Sequence, residues 1–407
     1  DIIFRLRYYW YFSKKRGSIM EIIVQKFGGS SVANTDKLFN VCKHIAKETN
    51  KGKSVVVVVS AQGDTTDDII LEEKEITNEP NKREHDVLVS VGEQITVAKL
   101  AMCLQKLGYD AVSYLAWQLP IITDSNYGDA NILKIKTNKI LKALKENKIV
   151  VVAGFQGIDQ NDNITTLGRG GSDTTAVAIA AALKADKCEI YTDVNGIYTA
   201  DPRIVPNAVL LESIDYNVML NYSSLGAKVL HNRSVELAKN TGIDISVKSS
   251  FSDNPGTLVT DCSEINSKPI SGITAEKLQT YITISNLNYV YSLLKLLSTN
   301  KTIIDMVSIS DKCISFSAKQ FEIESILNKV KSINEQIKTE VQTDLAKISI
   351  VGTSLHTKPE VLIKIVEVLK ANNINFTAIS LSETKLCILV DESKCTDAIN
   401  LLHKKLI

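Results

Sequence analysis

Four polar stretches hold residue types able to bind and neutralise an anion. In "QKFGGSS" Lys26 precedes Gly28, Gly29 and Ser30, so backbone N–H groups can come close to a bound anion while the lysine adds positive charge. "SAQGDTTD" begins at Ser60. "GRGGSDTTAVAIAAALKAD", Gly168 to Asp186, sets a flexible loop, a guanidinium and a carboxylate before a run of small helix formers. "YTDVNGIYTADPR" closes the set at Arg203. Two familiar nucleotide fingerprints are missing. The chain has no G-x-x-x-x-G-K-[ST], "GRGGSD" lacks the third glycine of G-x-G-x-x-G, and no ribose-binding acid follows at the right distance. A nicotinamide-dependent dehydrogenase fails on that ground.

The elements that must position these loops alternate from Met20 onward. "EIIVQKF" predicts a strand, Thr35 to Thr49 a helix, "SVVVVVS" a buried strand, and Asp86 to Leu107 a helix. A strand at "DAVSYLA", a helix over Ile132 to Glu146, the strand "KIVVVAGF", a helix from "GSDTTA" and the strand "CEIYTD" follow. Continuous Val/Ile runs flanked by helices predict a mostly parallel sheet buried on both faces. In an open sheet of this kind, loops beyond the carboxyl ends of the strands form the ligand crevice. All four polar stretches are expected at that one edge.

Length and composition narrow the class. The 407 residues exceed one ordinary core and imply two or three domains. Lys plus Arg number 47 and Asp plus Glu 46, a net charge of +1 that provides no broad basic field for nucleic acid or a membrane surface. The seven cysteines are scattered without metal-site spacing, which predicts reduced thiols and a cytoplasmic protein. The longest apolar runs fall well short of the ~20 residues of a membrane span. The first nineteen residues, aromatic and then basic, read as an added leader or a mis-assigned start, with the native protein expected to begin at Met20.

"KFGGSSV", "SAQGDTTD", "GRGGSDTTA", "YTDVNGIYTADPR" and "GAKVLHNRSVELA" together resemble the motifs of the aspartate kinases, within the amino acid kinase superfamily. The resemblance spans nearly all of Met20 to Ile407. It departs mildly where the family has Thr at Ser30, Met at Gln62 and Pro at Asn232. It implies an α/β amino acid kinase fold over 20–262, a linker at 263–277, and two ferredoxin-like βαββαβ ACT domains at 278–341 and 342–407. It implies ATP-dependent phosphorylation of the L-aspartate side chain, giving 4-phospho-L-aspartate, the first step towards lysine, threonine and methionine. That carboxylate is ionised at pH 7 and needs no general base, so catalysis would rest on positioning and positive charge.

By the same resemblance, Lys26, Phe27 and the Gly28–Gly29 amides hold the transferring phosphoryl group, assisted by Lys228 and Val229. Thr192, Asp193, Tyr198 and Arg203 take adenine, ribose and phosphates. Arg169 grips the substrate α-carboxylate, Glu93 takes its α-ammonium, and Ser60, Thr66 and Ser172 complete the pocket. Ser172 and Asp173 are expected to cap their helix, with Asp173 also orienting the catalytic lysines. No carboxylate cluster resembles a metal cage, so Mg2+ is expected to arrive with ATP. A kinase for glutamate, carbamate or a nucleotide is the alternative enzyme, and an amino-acid sensor with an inert front domain the alternative outside catalysis.

The carboxyl-terminal part carries the order strand, helix, strand, strand, helix, strand twice, with the last strand of the second copy missing. Such units bury little core alone and are expected to pair, here in a homodimer or homotetramer. "TIIDMVSIS" resembles the effector segment of lysine-sensitive aspartate kinases. Asp305, Met306, Ser308 and Ser310 are therefore expected to bind a free amino acid, with L-lysine as the effector.

Overall fold

The computed structural model describes residues 20–224, 229–261, 270–285, 290–299, 302–310, 313–334 and 337–407. The amino-terminal nineteen residues and Lys228 lie outside them. The chain divides into two compact units, one of residues up to 197 with 211–216 and 229–262, the other of 198–210, 217–228 and 263–407.

The first unit has strands β1 Ile22–Phe27, β2 Ser54–Val59, β3 Ala111–Tyr114, β4 Ile121–Thr123, β5 Ile132–Ile135, β6 Ile149–Ala153, β7 Gln156–Ile158, β8 Ile164–Thr166, β9 Lys187–Thr192, β10 Ser213–Asp215, β11 Ile245–Ser249 and β12 Thr257–Thr260. The helices up to residue 241 are α1 Thr35–Thr49, α2 Thr65–Ile76, α3 Lys82–Val89, α4 Val91–Lys106, α5 Asn138–Lys145, α6 Gly171–Leu183, α7 Tyr216–Ser224 and α8 Asn232–Thr241. Eight strands form one sheet in the order β10-β12-β11-β9-β1-β2-β6-β3. Every neighbouring pair is parallel except β11 with β12. Val55 to Val59 are all buried, as a central parallel strand requires, and each contributes roughly 1.5–3 kcal/mol of apolar burial. Helix α1 occupies the predicted residues. Asn34 caps it by accepting from Lys37 N at 3.0 Å, and Leu38, Val41, Cys42 and Ile45 form its buried stripe.

The helix expected over Ile132–Glu146 forms only from Asn138; "ILKI" before it is strand β5, paired with β4 in a separate four-stranded sheet β5-β4-β7-β8. Pairing across the sheet outweighs a weak local preference in so short a segment. Helices α3 and α4 together, Lys82–Lys106, are long and apolar enough by composition to cross a membrane, but 56% of their most apolar eighteen-residue stretch is buried in the protein, with Val97, Leu100 and Leu104 in the core, so this stretch packs as a core segment.

In the second unit, β13 Ile270–Ser285, β14 Asp305–Ile309, β15 Cys313–Lys319, β16 Thr339–Gly352, β17 Phe376–Leu381 and β18 Lys385–Asp391 form one antiparallel sheet in the order β14-β15-β13-β16-β18-β17. It carries α9 Val290–Thr299, α10 Ile323–Ile333, α11 Pro359–Ala371 and α12 Cys395–Leu406. The strands read separately at "QIKTEVQ" and "AKISIVG" are one strand, β16. The strand missing from the second repeat is the first half of β13: Ile270 to Glu276 pair with Gly352 to Lys347. Residues 270–277, expected in the linker, are therefore strand, and 198–210 join this unit through Ala200 and Val205 in its core. The register shifts where the repeats meet, and Leu278 and Asp344 there take φ of 56° and 58°.

Candidate active site

Strands β9, β1, β2 and β6 are adjacent and parallel, so their carboxyl ends share one edge of the first unit's sheet. Lys26 ends β1 on one sheet face while Phe27 turns to the other. Phe27 is fully buried and stacked on Tyr191 at 4.6 Å, and its carbonyl accepts from Ser60 N. Phe27 thus packs in the core, and any ligand contact from it is confined to its main chain. Lys26 Nζ lies 2.7 Å from Asp173 Oδ1, each side chain about nine-tenths buried. A Cβ on Gly28 would sit 3.4 Å from Lys26 Nζ, and one on Gly29 would meet Ala61 O at 2.8 Å. Gly29 is needed because backbone occupies the space of a side chain, whereas at Gly28 a Cβ would only reach contact distance of the ammonium.

Helix α6 presents its first turn to this edge. The expected cap does not form: the N-cap is Gly170, at φ 68°, with no side-chain cap bond, and Ser172 and Asp173 lie inside the helix. A left-handed residue at the helix entry points the next side chains inward, so Asp173 meets Lys26 and Ser172 packs against Gly154. Arg169, on the preceding loop, is exposed.

Glu93 enters from the start of α4, where Gly92 lets the helix approach Ala61 closely. Only 3% of Glu93 is exposed. Its Oε1 accepts from Ala61 N at 2.9 Å, while Oε2 is buried without a partner among the described residues. Burial pushes this carboxyl up to about 7, partly offset by the Ala61 N–H and the charge of Lys26. Ser60 and Thr66 are half-buried at the end of β2 and in the first turn of α2. Thr192 and the exposed Asp193 end β9, with Thr192 Oγ1 donating to Asp193 at 3.1 Å. Val229 is half-buried before α8. Lys26, Gly28, Gly29, Ser60, Thr66, Glu93, Arg169, Ser172, Asp173, Thr192 and Asp193 thus belong to strand ends, loops and helix starts of one unit.

Two expected residues belong to the other unit. Tyr198 bridges to Leu210, and Arg203 forks onto Asp201, with Nη2 2.7 Å from Oδ2 and Nε 3.0 Å from Oδ1. The Asp305 carboxylate, expected to take an effector ammonium, is held by Lys347 at 3.0 Å and Lys385 at 3.1 Å. Burial alone would raise this carboxyl, but Lys347, the Met306 N–H and Lys385 bring it down to about 2. The strand order places both lysines on strands of the second repeat, which sequence spacing could not reveal. Met306 is buried at φ 49°, Ser308 is exposed, and the Ser310 hydroxyl donates to Cys313 O.

Sequence reasoning missed Asp86, fully buried, which accepts from Gly128 N, Thr166 N and Thr166 Oγ1 at 2.8–3.0 Å. It also missed His231 against Gly170, and Arg233 on the strand ends before Arg169. A signal existed for the last two in "GAKVLHNRSVELA"; none marks Asp86. A groove of about 590 Å³ lined by Trp117, Ile122, Lys136 and Ile158 opens on the four-stranded sheet. Of its two acids, Asp159 and Asp162, Asp159 is engaged by Ser125, Tyr127 and its own loop backbone.

Residues 21–249 match the amino acid kinase family, and 348–406 an ACT domain. An aspartokinase of Bacillus sp. (strain MGA3) is 44% identical over 95% of this chain and 97% of its own length. The chain belongs to the aspartokinase family. Aspartokinase 2 of Bacillus subtilis, also 44% identical, aligns over 94% of this chain and 97% of its own length. The crystal structure of E. coli aspartokinase III in complex with aspartate and ADP superposes with a TM-score of 0.79 at 25% identity, covering 95% of this chain and all of that one. Family membership makes this chain a kinase acting on aspartate, with an ACT regulatory region.

Proposed function

We propose that this aspartokinase transfers the γ-phosphoryl group of ATP to the side-chain carboxylate of L-aspartate, forming 4-phospho-L-aspartate at the start of lysine, threonine and methionine synthesis in the cytoplasm. The observation that carries this reading is the Lys26–Asp173 pair, 2.7 Å apart over the Gly28–Gly29 turn at the carboxyl end of β1. The obstacle to the reaction is the approach of one anion to another. Asp173 orients the Lys26 ammonium, and the glycine amides add donors where negative charge develops. Lys228, outside the described residues, and Val229 are assigned to assist. Arg169 takes the α-carboxylate with its planar fork, and the unpartnered Oε2 of Glu93 takes the α-ammonium. Ser60, Thr66 and Ser172 close the pocket around the substrate. Thr192 and Asp193, with Tyr198 and Arg203, are assigned to the nucleotide. The donor set at this edge, with exposed carboxylates in Asp64 and Asp193, fits Mg2+ carried chiefly by the ATP phosphates, where it neutralises phosphate charge. The aspartate and ADP held by the E. coli relative favour this substrate pair.

Lys26→Ala should lose at least a thousandfold in turnover, ~4 kcal/mol of transition-state stabilisation, with an unchanged circular dichroism spectrum. ADP release would be measured with aspartate, glutamate and carbamate as acceptors. Turnover within tenfold of wild type would sink the role of Lys26, and preference for another acceptor would sink the substrate.

The effector is assigned as L-lysine, bound near Asp305, Met306, Ser308 and Ser310 in a homodimer or homotetramer formed through the ACT region. Because Asp305 already holds two lysine side chains, an effector ammonium would compete with Lys347 and Lys385. A coupling of about 1–3 kcal/mol between effector and substrate sites suffices for clear inhibition.

A further inference from the structure

We propose that Arg233 is a positioning residue for the loop carrying Arg169 and thereby sets how firmly the enzyme holds its amino-acid substrate. The inference rests on the assignment of Arg169 to the substrate α-carboxylate. Arg233 lies in the first turn of α8, with about a quarter of its side chain exposed. Its Nη1 donates to Leu167 O at 2.5 Å and Asp129 Oδ1 at 2.7 Å; its Nη2 donates to Ala130 O at 2.6 Å and Asn131 Oδ1 at 3.1 Å. One guanidinium therefore ties together two strand ends that are already joined by Ala130 N donating to Thr166 O.

The position of that clamp gives it a consequence. Arg169 follows Leu167 by two residues and is flanked by Gly168 at φ 71° and Gly170 at φ 68°. Neither glycine has a side chain to anchor the loop, so its placement depends on what holds its ends. Arg233 holds the leading end at the Leu167 carbonyl. His231, two residues earlier, holds the trailing end, where a Cβ on Gly170 would lie 2.3 Å from the His231 Cβ. Asp86 secures Thr166, and Leu167 is held by its N–H on Phe155 O and by its buried side chain, while the Leu167 carbonyl, the last acceptor before the Arg169 loop, is held by Arg233. A lysine could not replace the arginine, because a point ammonium on a flexible stem cannot meet four acceptors in one plane. Without it two carbonyls lose their donors, and a displacement of about 1 Å in a gripping residue is enough to weaken binding severely.

The test compares Arg233→Ala, Arg233→Lys, Arg169→Ala and the double variant Arg169→Ala/Arg233→Ala by initial rates against aspartate and against ATP, with thermal unfolding of each. Arg233→Ala should raise the KM for aspartate about tenfold, ~1.4 kcal/mol, and move the KM for ATP less than twofold. Arg233→Lys should fall between it and wild type, and keeps the test open if the alanine variant fails to fold. In the Arg169→Ala background, removal of Arg233 should add nothing further to the aspartate constant. An aspartate constant raised in Arg169→Ala but unchanged in the Arg233 variants overturns this inference alone. So does an equal rise in both substrate constants, or a full additional loss in the double variant. An aspartate constant unchanged in Arg169→Ala overturns the assignment of Arg169 and this inference with it.

Discussion

Glu93 illustrates how one residue can trade stability for binding. Its carboxyl is buried and shifted to about 7, so between its unfolded value near 4.5 and 7 the native state holds a proton that the unfolded chain has released. The sign follows: this group subtracts stability as pH rises through that window, and its full cost is present above 7. Glu93→Gln, which can still accept from Ala61 N, should therefore be more stable than wild type at pH 8, by on the order of 1–3 kcal/mol, and indistinguishable near pH 4. A bound α-ammonium favours the ionised carboxylate, so the wild-type KM for aspartate should fall as pH rises through about 7. The variant should bind poorly at every pH. Denaturant titrations and rate profiles from pH 5 to 8.5 check both, and a variant with the wild-type profile would remove Glu93 from the site. Asp305 has the opposite sign. Its carboxyl is lowered to about 2, so its stabilisation is present above about 4 and is lost as pH falls towards 2. Asp305→Ala leaves Lys347, 6% exposed, with Glu276 alone at 3.3 Å, and should cost about 1–3 kcal/mol besides any change in inhibition. Equal thermal stability of variant and wild type would show the network to be idle.

At the scale of elements, the entry to α6 determines where the chemistry can be. The helix is buried almost throughout its first ten residues, as its small apolar composition requires. Its axis is fixed by packing, and only the backbone turn at Gly170 decides which side chains face Lys26. Gly170→Ala would force an L-residue to φ 68° and drive its Cβ into His231. Gly52→Ala would meet the same dihedral penalty, roughly 1–2 kcal/mol, with nothing within 4 Å. The two variants should lose comparable stability from the backbone term, but only Gly170→Ala should also lose activity, by at least tenfold. Equal activities in the pair would mean that the turn only connects.

At the scale of the whole molecule, the second unit is interlaced rather than tandem. The first half of β13 completes the second repeat before the chain enters the first, and β16 serves both. A chain ended at residue 341 would leave Ile273, buried against the second repeat's core, without a partner strand. Such a chain should not keep a folded first repeat, as limited proteolysis of the 263–341 region would read out. A protease-resistant first repeat would show that the two fold independently.

The sequence by itself determined the elements whose signal is local and the residues whose chemistry is local. The valine run of β2, the capped stripe of α1, and the placing of Lys26 beside Gly28 and Gly29 were legible, because periodicity, turn chemistry and charge are carried by neighbouring residues, whereas Glu93, Arg169 and Asp173 were singled out through the motif resemblance. Long-range pairing was decided elsewhere. Strand β5 is a strand because β4 lies beside it, Asp173 is a lysine partner rather than a cap because Gly170 turns left-handed, and residues 270–276 are a strand because β16 lies 70 or more residues away in the chain. Asp305 is closed by Lys347 and Lys385, and Arg233 reaches Leu167 and Ala130, across comparable separations. Such contacts depend on which strands become neighbours, and that is a property of the packed sheet that no short window of residue types encodes.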